Sequence, residues 1–125
     1  MKNYQTSEIK NVVLLGAPGS GKTTFAEAMA FEGKVIDRRG SIENENTLSD
    51  NTDLEHSNRR SIYSTILYTE FMNHKLNIID APGSDDFSGG LFAAFKVADV
   101  GLMLFNAQNG FEVGSEIQSR YAKTY

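Results

Sequence analysis

A chain of 125 residues with a formal net charge of −4 has room for one domain around a single modest core. The mild acidity offers no broad basic face for nucleic acid, and the absence of cysteine excludes a disulfide framework or a thiolate metal site. No apolar stretch is long enough to span a bilayer, and residues 1–8 lack the apolar core of a signal peptide. No membrane partner is therefore expected, and the cytoplasm is the default location.

Residues 1–10 are polar and read as a loose lead-in, with the domain expected over 11–125. Val12-Val13-Leu14-Leu15 is an apolar run that reads as a strand buried on both faces. It runs into Gly16-Ala17-Pro18-Gly19-Ser20-Gly21-Lys22-Thr23, which has the P-loop spacing of Gly, four residues, then Gly-Lys-Thr. Thr24 follows, and Phe25, Ala26, Met29 and Ala30 then share one face at helical spacing. Backbone N–H groups at such a strand-to-helix turn can point inward, and the helix N-terminus adds partial positive charge. Gly16, Gly19 and Gly21 let that backbone approach an anion without a Cβ in the way. Lys22 can reach the β- and γ-phosphates of a nucleotide, and the Thr23 hydroxyl suits Mg²⁺. A glycine-rich turn that merely precedes a helix would explain the bare pattern; the flanking strand and helix favour the phosphate reading.

Lys34-Val35-Ile36 is a short apolar patch. The tract from 37 to 60 is polar, interrupted only by Ile42, Leu48 and Leu54. A loop of that length inside a compact domain is usually functional or disordered. Residues 62–71 are rich in β-branched and aromatic side chains and read as a strand. Met72-Asn73-His74-Lys75 is expected to turn the chain, and Leu76-Asn77-Ile78-Ile79-Asp80 to return it as an antiparallel hairpin. Ala81-Pro82-Gly83-Ser84 breaks that strand. Leu91, Phe92, Phe95 and Ala98 lie on one helical face, residues 100–105 read as another buried strand, and Val113, Ile117 and Tyr121 form the stripe of a last helix. Strands alternating with helices predict an α/β layered fold, largely parallel apart from the hairpin.

Asp80 closes an apolar strand. A carboxylate at that tip is well placed to hold a water of a Mg²⁺ ion bound at Thr23, while the Gly83 N–H can face a γ-phosphate. Alone, Asp-x-Pro-Gly is an ordinary turn; beside a P-loop strand it becomes the expected metal-side partner. His56 and His74 read as exposed loop and turn residues, Arg59 and Arg60 as a solvated pair, and Phe87, Leu91, Phe92 and Phe95 as core.

These pieces together resemble the GTP-binding domain of the translational GTPases, specifically elongation factor G and its paralogues. The resemblance covers nearly the whole chain from Asn11. Asn46-Thr47-Leu48-Ser49-Asp50 is similar to the family's stretch early in switch I, and residues 74–83 to its strand into switch II. Asp86-Phe87, Val97-Ala98-Asp99 and Gly110-Phe111-Glu112-Val113-Gly114-Ser115-Glu116 also match. The resemblance implies a P-loop NTPase three-layer fold, mostly parallel with one antiparallel hairpin and truncated after about four strands. It implies GTP or GDP on residues 16–24, Mg²⁺ at Thr23 and indirectly at Asp80, and the ribosome as partner of the longer protein. The polar tract would be switch I, ordered by γ-phosphate and Mg²⁺. The family's Mg²⁺-ligating Thr near the end of switch I falls on Ser61 by a gap-free count from Asp80. A register shifted by two would place it on Tyr63, which lacks an aliphatic hydroxyl, so Ser61 is preferred.

Two departures matter. After Asp-x-Pro-Gly the family usually has His, which orients the attacking water; here stands Ser84, with Asp85 and Asp86 adding negative charge. Placement carries much of this chemistry, so binding with slow intrinsic hydrolysis is expected. The family also reads guanine through Asn-Lys-x-Asp, a tetrapeptide absent from this sequence. The expectation is a fragment of a longer chain that holds the phosphate half of the site without the base half. The strand at 100–105 would then show an apolar edge open to self-association. Two other readings stand beside this one. Gly-Ala-Pro-Gly-Ser-Gly-Lys also resembles the phosphate loop of adenylate kinases, although those usually follow Lys with Gly-Thr, and the isolated chain could be an inactive folded remnant. A paralogue that protects ribosomes from an antibiotic is a close variant of the first.

Overall fold

The structure, a computed structural model, describes residues 2–44, 46–48, 64–83 and 88–124. Among these residues four strands form one sheet: β1 (Ile9–Leu15), β2 (Thr65–Phe71), β3 (His74–Asp80) and β4 (Val100–Met103). Their order is β2-β3-β1-β4, with β1 parallel to both neighbours and β2 antiparallel to β3. Among the described residues three α-helices accompany it: α1 (Lys22–Glu32), α2 (Ser88–Val97) and α3 (Val113–Thr124).

The alternation of β1 explains the layers. Val13 and Leu15 face one side and pack with Ile79, Ala81, Leu91, Ala94 and Phe95; Ala98 and Tyr121 border that cluster. Leu14 faces the other side with Ile78 and Ala26 of α1, bordered by Met29 and Leu67. A strand covered on both faces is apolar at every position, which is why residues 12–15 show no polar alternation. The result is three layers, with α1 on one face of the sheet and α2 and α3 on the other.

The hairpin is tighter than its sequence suggests. His74 already pairs with Phe71, so only Met72 and Asn73 turn the chain. Both have positive φ, at 47° and 62°. A two-residue turn of that hand matches the right-handed twist of the strands, and this extends β3 back through Lys75 to His74. Helix α1 ends on the paired bonds Lys34 N–H to Phe31 C=O (2.9 Å) and Val35 N–H to Ala30 C=O (2.9 Å), with Lys34 in the left-handed region. That arrangement satisfies the last carbonyls and stops the helix.

Three core expectations are corrected. Phe25 is 38% exposed, because the inward stripe of α1 runs through Lys22, Ala26 and Ala30 with Thr23 and Glu27 beside it. The strand expected to be buried over 100–105 spans Val100–Met103, and Val100 and Leu102 are exposed; among the described residues it does stand at the sheet's edge, as expected. Val113 is 73% exposed; the buried positions of α3 are Ser115 and Gln118, while Tyr121 meets Phe92 edge-on at 4.9 Å.

Candidate functional site

Parallel strands bring their C-terminal ends to one edge of the sheet, where ligands of open α/β sheets bind. Here β1 ends in the glycine-rich loop and its neighbour β3 ends in Asp80, with Leu14 and Asp80 paired in register. That register brings together groups 57 positions apart: the Thr23 hydroxyl donates to Asp80 Oδ2 at 2.8 Å. Both residues are buried, Asp80 completely.

The loop follows from its glycines. Gly16 has φ of 138°, and a Cβ there would lie 2.3 Å from the Leu104 carbonyl oxygen. Gly21 caps α1 from the left-handed region at φ 91°. Ala17 is buried, Pro18 and Gly19 are exposed, Ser20 and Gly21 are half-buried, and Thr24 faces solvent on the first turn of α1. Ser20 N–H closes a turn onto the Ala17 carbonyl at 3.1 Å. The Ser20 hydroxyl oxygen is buried with no hydrogen-bond partner among the described residues. The Lys22 ammonium folds back over the loop, donating to the carbonyls of Gly16 (2.9 Å) and Ala17 (3.1 Å). Gly83 lies directly against this knot: a Cβ on it would meet Lys22 Nζ at 2.4 Å and the Gly16 carbonyl oxygen at 2.8 Å.

The residues singled out by sequence, Gly16 through Thr24 with Asp80 and Gly83, thus converge at one edge of the sheet. Ser61 and Ser84 lie outside the described residues.

Two residues of the same neighbourhood were not singled out. Glu27, 1% exposed and one turn beyond Thr23, accepts the N–H of Gly40 at 3.0 Å and that of Leu48. It ties Gly40 and Leu48 to α1, and Thr47, next to Leu48 in the chain, is buried. Gln118 reaches from α3 to Gly16 and Gly83: Gly16 N–H donates to Gln118 Oε1 at 2.6 Å, and Gln118 Nε2 donates to Gly16 and Gly83 carbonyls at 3.3 Å each. The available signal was spacing. Glu27 stands four residues after Thr23, and Gln118 three after Ser115, so each sits on a buried helical face where a polar residue needs a partner.

The elongation factor Tu GTP binding domain family matches residues 7–125. The chain belongs to that family. It is 36% identical over 104 residues to an elongation factor G-like protein of Mycobacterium tuberculosis, an alignment covering 83% of this chain and 15% of that protein. It is 32% identical over 110 residues to the tetracycline resistance protein TetM from transposon Tn1545 of Enterococcus faecalis, covering 88% of this chain and 17% of TetM. A crystal structure of a Thermus thermophilus protein superimposes with a TM-score of 0.90 at 33% identity, covering 94% of this chain and 18% of that one. The chain therefore spans less than a fifth of the length of these relatives. Its mostly parallel four-stranded sheet is that of a P-loop GTPase domain, and the adenylate-kinase-like reading gives way to it.

Proposed function

We propose that this domain binds GTP and GDP by their phosphates and serves as the switch of an elongation factor G-like protein acting on the ribosome in the cytoplasm. One observation carries the reading: the Thr23 hydroxyl meets the buried Asp80 carboxylate at 2.8 Å, beside the backbone knot that holds Lys22. Hydroxyl and carboxylate oxygens are the donors a hard cation takes, so these side chains fit Mg²⁺. The buried Ser20 hydroxyl has no protein partner among the described residues, as expected of a group whose partner is a ligand.

In this reading Thr23 would hold Mg²⁺ by its hydroxyl, and Asp80 would hold it indirectly. Bound there, the cation supplies positive charge to the phosphate oxygens. Backbone N–H groups of the loop beyond Pro18 face the β-phosphate, while that of Gly16 stays on Gln118, and Lys22 exchanges its carbonyl partners for β- and γ-phosphate oxygens. Such charge-assisted bonds contribute about 1.5–3 kcal/mol each. Gly83 would offer its N–H to the γ-phosphate, and Ser61, outside the described residues, would supply a second hydroxyl to the metal. Ser84, where the family has His, leaves the attacking water poorly oriented, so hydrolysis is slow. Guanine selectivity is not carried by these residues, which lack Asn-Lys-x-Asp. Ribosomal translocation is the task proposed for the longer protein; the likeness to TetM makes ribosome protection the second reading. Self-association through the β4 edge would appear as a light-scattering mass above that of one chain.

Calorimetric titration with GDP tests the reading. Heat is expected with Mg²⁺ present and should fall on chelation. Equal heat with and without Mg²⁺ would contradict the roles given to Thr23 and Asp80.

A further inference from the structure

From its three hydrogen bonds we infer that Gln118 is a positioning residue: its amide clips Gly83 to the phosphate loop, and so sets how much more tightly the site grips a triphosphate than a diphosphate. The inference rests on the phosphate-binding reading above.

Gln118 is 2% exposed, in the middle of α3. A primary amide buried that far is costly unless both its ends are used. They are. Its oxygen takes the Gly16 N–H at 2.6 Å, and its nitrogen reaches the Gly16 and Gly83 carbonyls at 3.3 Å. An N–H facing one end and two carbonyls facing the other fix which way the amide points.

The two segments it joins are tightly apposed. Neither glycine could carry a Cβ: Gly16 would strike the Leu104 carbonyl and Gly83 would strike Lys22 Nζ and the Gly16 carbonyl. Two backbone segments from different strands meet there, and Gln118 bonds to both. The Gly16 carbonyl also accepts from Lys22 at 2.9 Å. When Lys22 turns to a phosphate, that carbonyl keeps the Gln118 donor and the loop stays satisfied. At the same time the bond to the Gly83 carbonyl fixes the peptide whose neighbouring N–H faces the third phosphate. A diphosphate does not reach Gly83, so losing the clip should weaken triphosphate binding selectively.

The test uses the 125-residue chain with Mg²⁺ and two probes without a base, inorganic tripolyphosphate and pyrophosphate, titrated by calorimetry. Gln118→Met keeps the length of the side chain and removes its hydrogen bonds. Its tripolyphosphate affinity should drop about tenfold while pyrophosphate affinity changes less than about threefold. Ser115→Ala, on the same buried face but without these bonds, should leave the ratio of the two affinities unchanged. An unchanged ratio in Gln118→Met, or an equal change in both variants, overturns the inference and leaves the phosphate reading standing. No heat from the wild-type chain with either probe overturns that reading and the inference with it. A second measurement does not depend on the variant folding. By hydrogen exchange on the wild-type chain, the Gly16 amide should stay protected when tripolyphosphate saturates the site, and loss of that protection would refute the clip.

Discussion

The Thr23 hydroxyl and the Asp80 carboxylate meet at 2.8 Å although each comes from a different element, the first turn of α1 and the last residue of β3. Parallel pairing of β1 with β3 puts them there, since both strands deliver their C-terminal ends to the same edge. Thr23→Val removes the donor with little change of volume. A fully buried carboxylate then loses a hydrogen bond, which should cost about 1–3 kcal/mol in urea denaturation. GDP binding by this variant should no longer respond to Mg²⁺.

Gly83→Ala tests the contact between the end of β3 and the phosphate loop. The added methyl would lie 2.8 Å from the Gly16 carbonyl oxygen, which is backbone and cannot swing aside. A destabilisation of about 1–3 kcal/mol is expected, with weakened pyrophosphate binding because the loop must shift. Wild-type stability and affinity in this variant would mean that the two segments are further apart.

Glu27→Gln keeps the shape of a side chain that accepts two backbone N–H groups but weakens it as an acceptor. Hydrogen bonds to a charged group are worth about 1.5–3 kcal/mol, so the 40–48 segment should open more easily. Faster exchange of the Gly40 and Leu48 amides, with the amides of β1 unchanged, is the expected pattern.

On α3 and β1 the burial pattern gives a contrast. Val113→Ser, at a 73% exposed position, should change stability by less than about 0.5 kcal/mol. Leu14→Ala, at 0% exposure between β1 and α1, should cost about 2–5 kcal/mol.

Ser84→His restores the family's residue after Asp-x-Pro-Gly. Single-turnover cleavage of GTP should be faster than in the wild-type chain; no acceleration would contradict the role given to this position.

The sheet was legible because its evidence is local. A strand covered on both faces has to be apolar throughout, and the run at residues 12–15 could be little else. The convergence of the candidate residues was legible for a related reason: Gly16, Gly21, Lys22 and Thr23 answer to the geometry of one turn, and Asp80 to the tip of one strand. The misreadings arise where partners are distant in sequence. Val113 fits a helical stripe, but α3 turns Gln118 inward because a glycine loop about a hundred positions earlier offers it an N–H and a carbonyl. Phe25 is apolar, yet the buried positions of α1 include Lys22, Thr23 and Glu27, each bonded to backbone or side chain of another segment. Hydrophobic periodicity locates a helix; near a polar site it does not identify which residues turn inward.

The grip on polyphosphate is the centre of the account, and Lys22→Ala probes it most directly. Calorimetry with Mg²⁺ and GDP should give measurable heat for the wild-type chain and none for the variant at the same concentrations. Equal heat from both would show that residues 16–24 do not hold the phosphates.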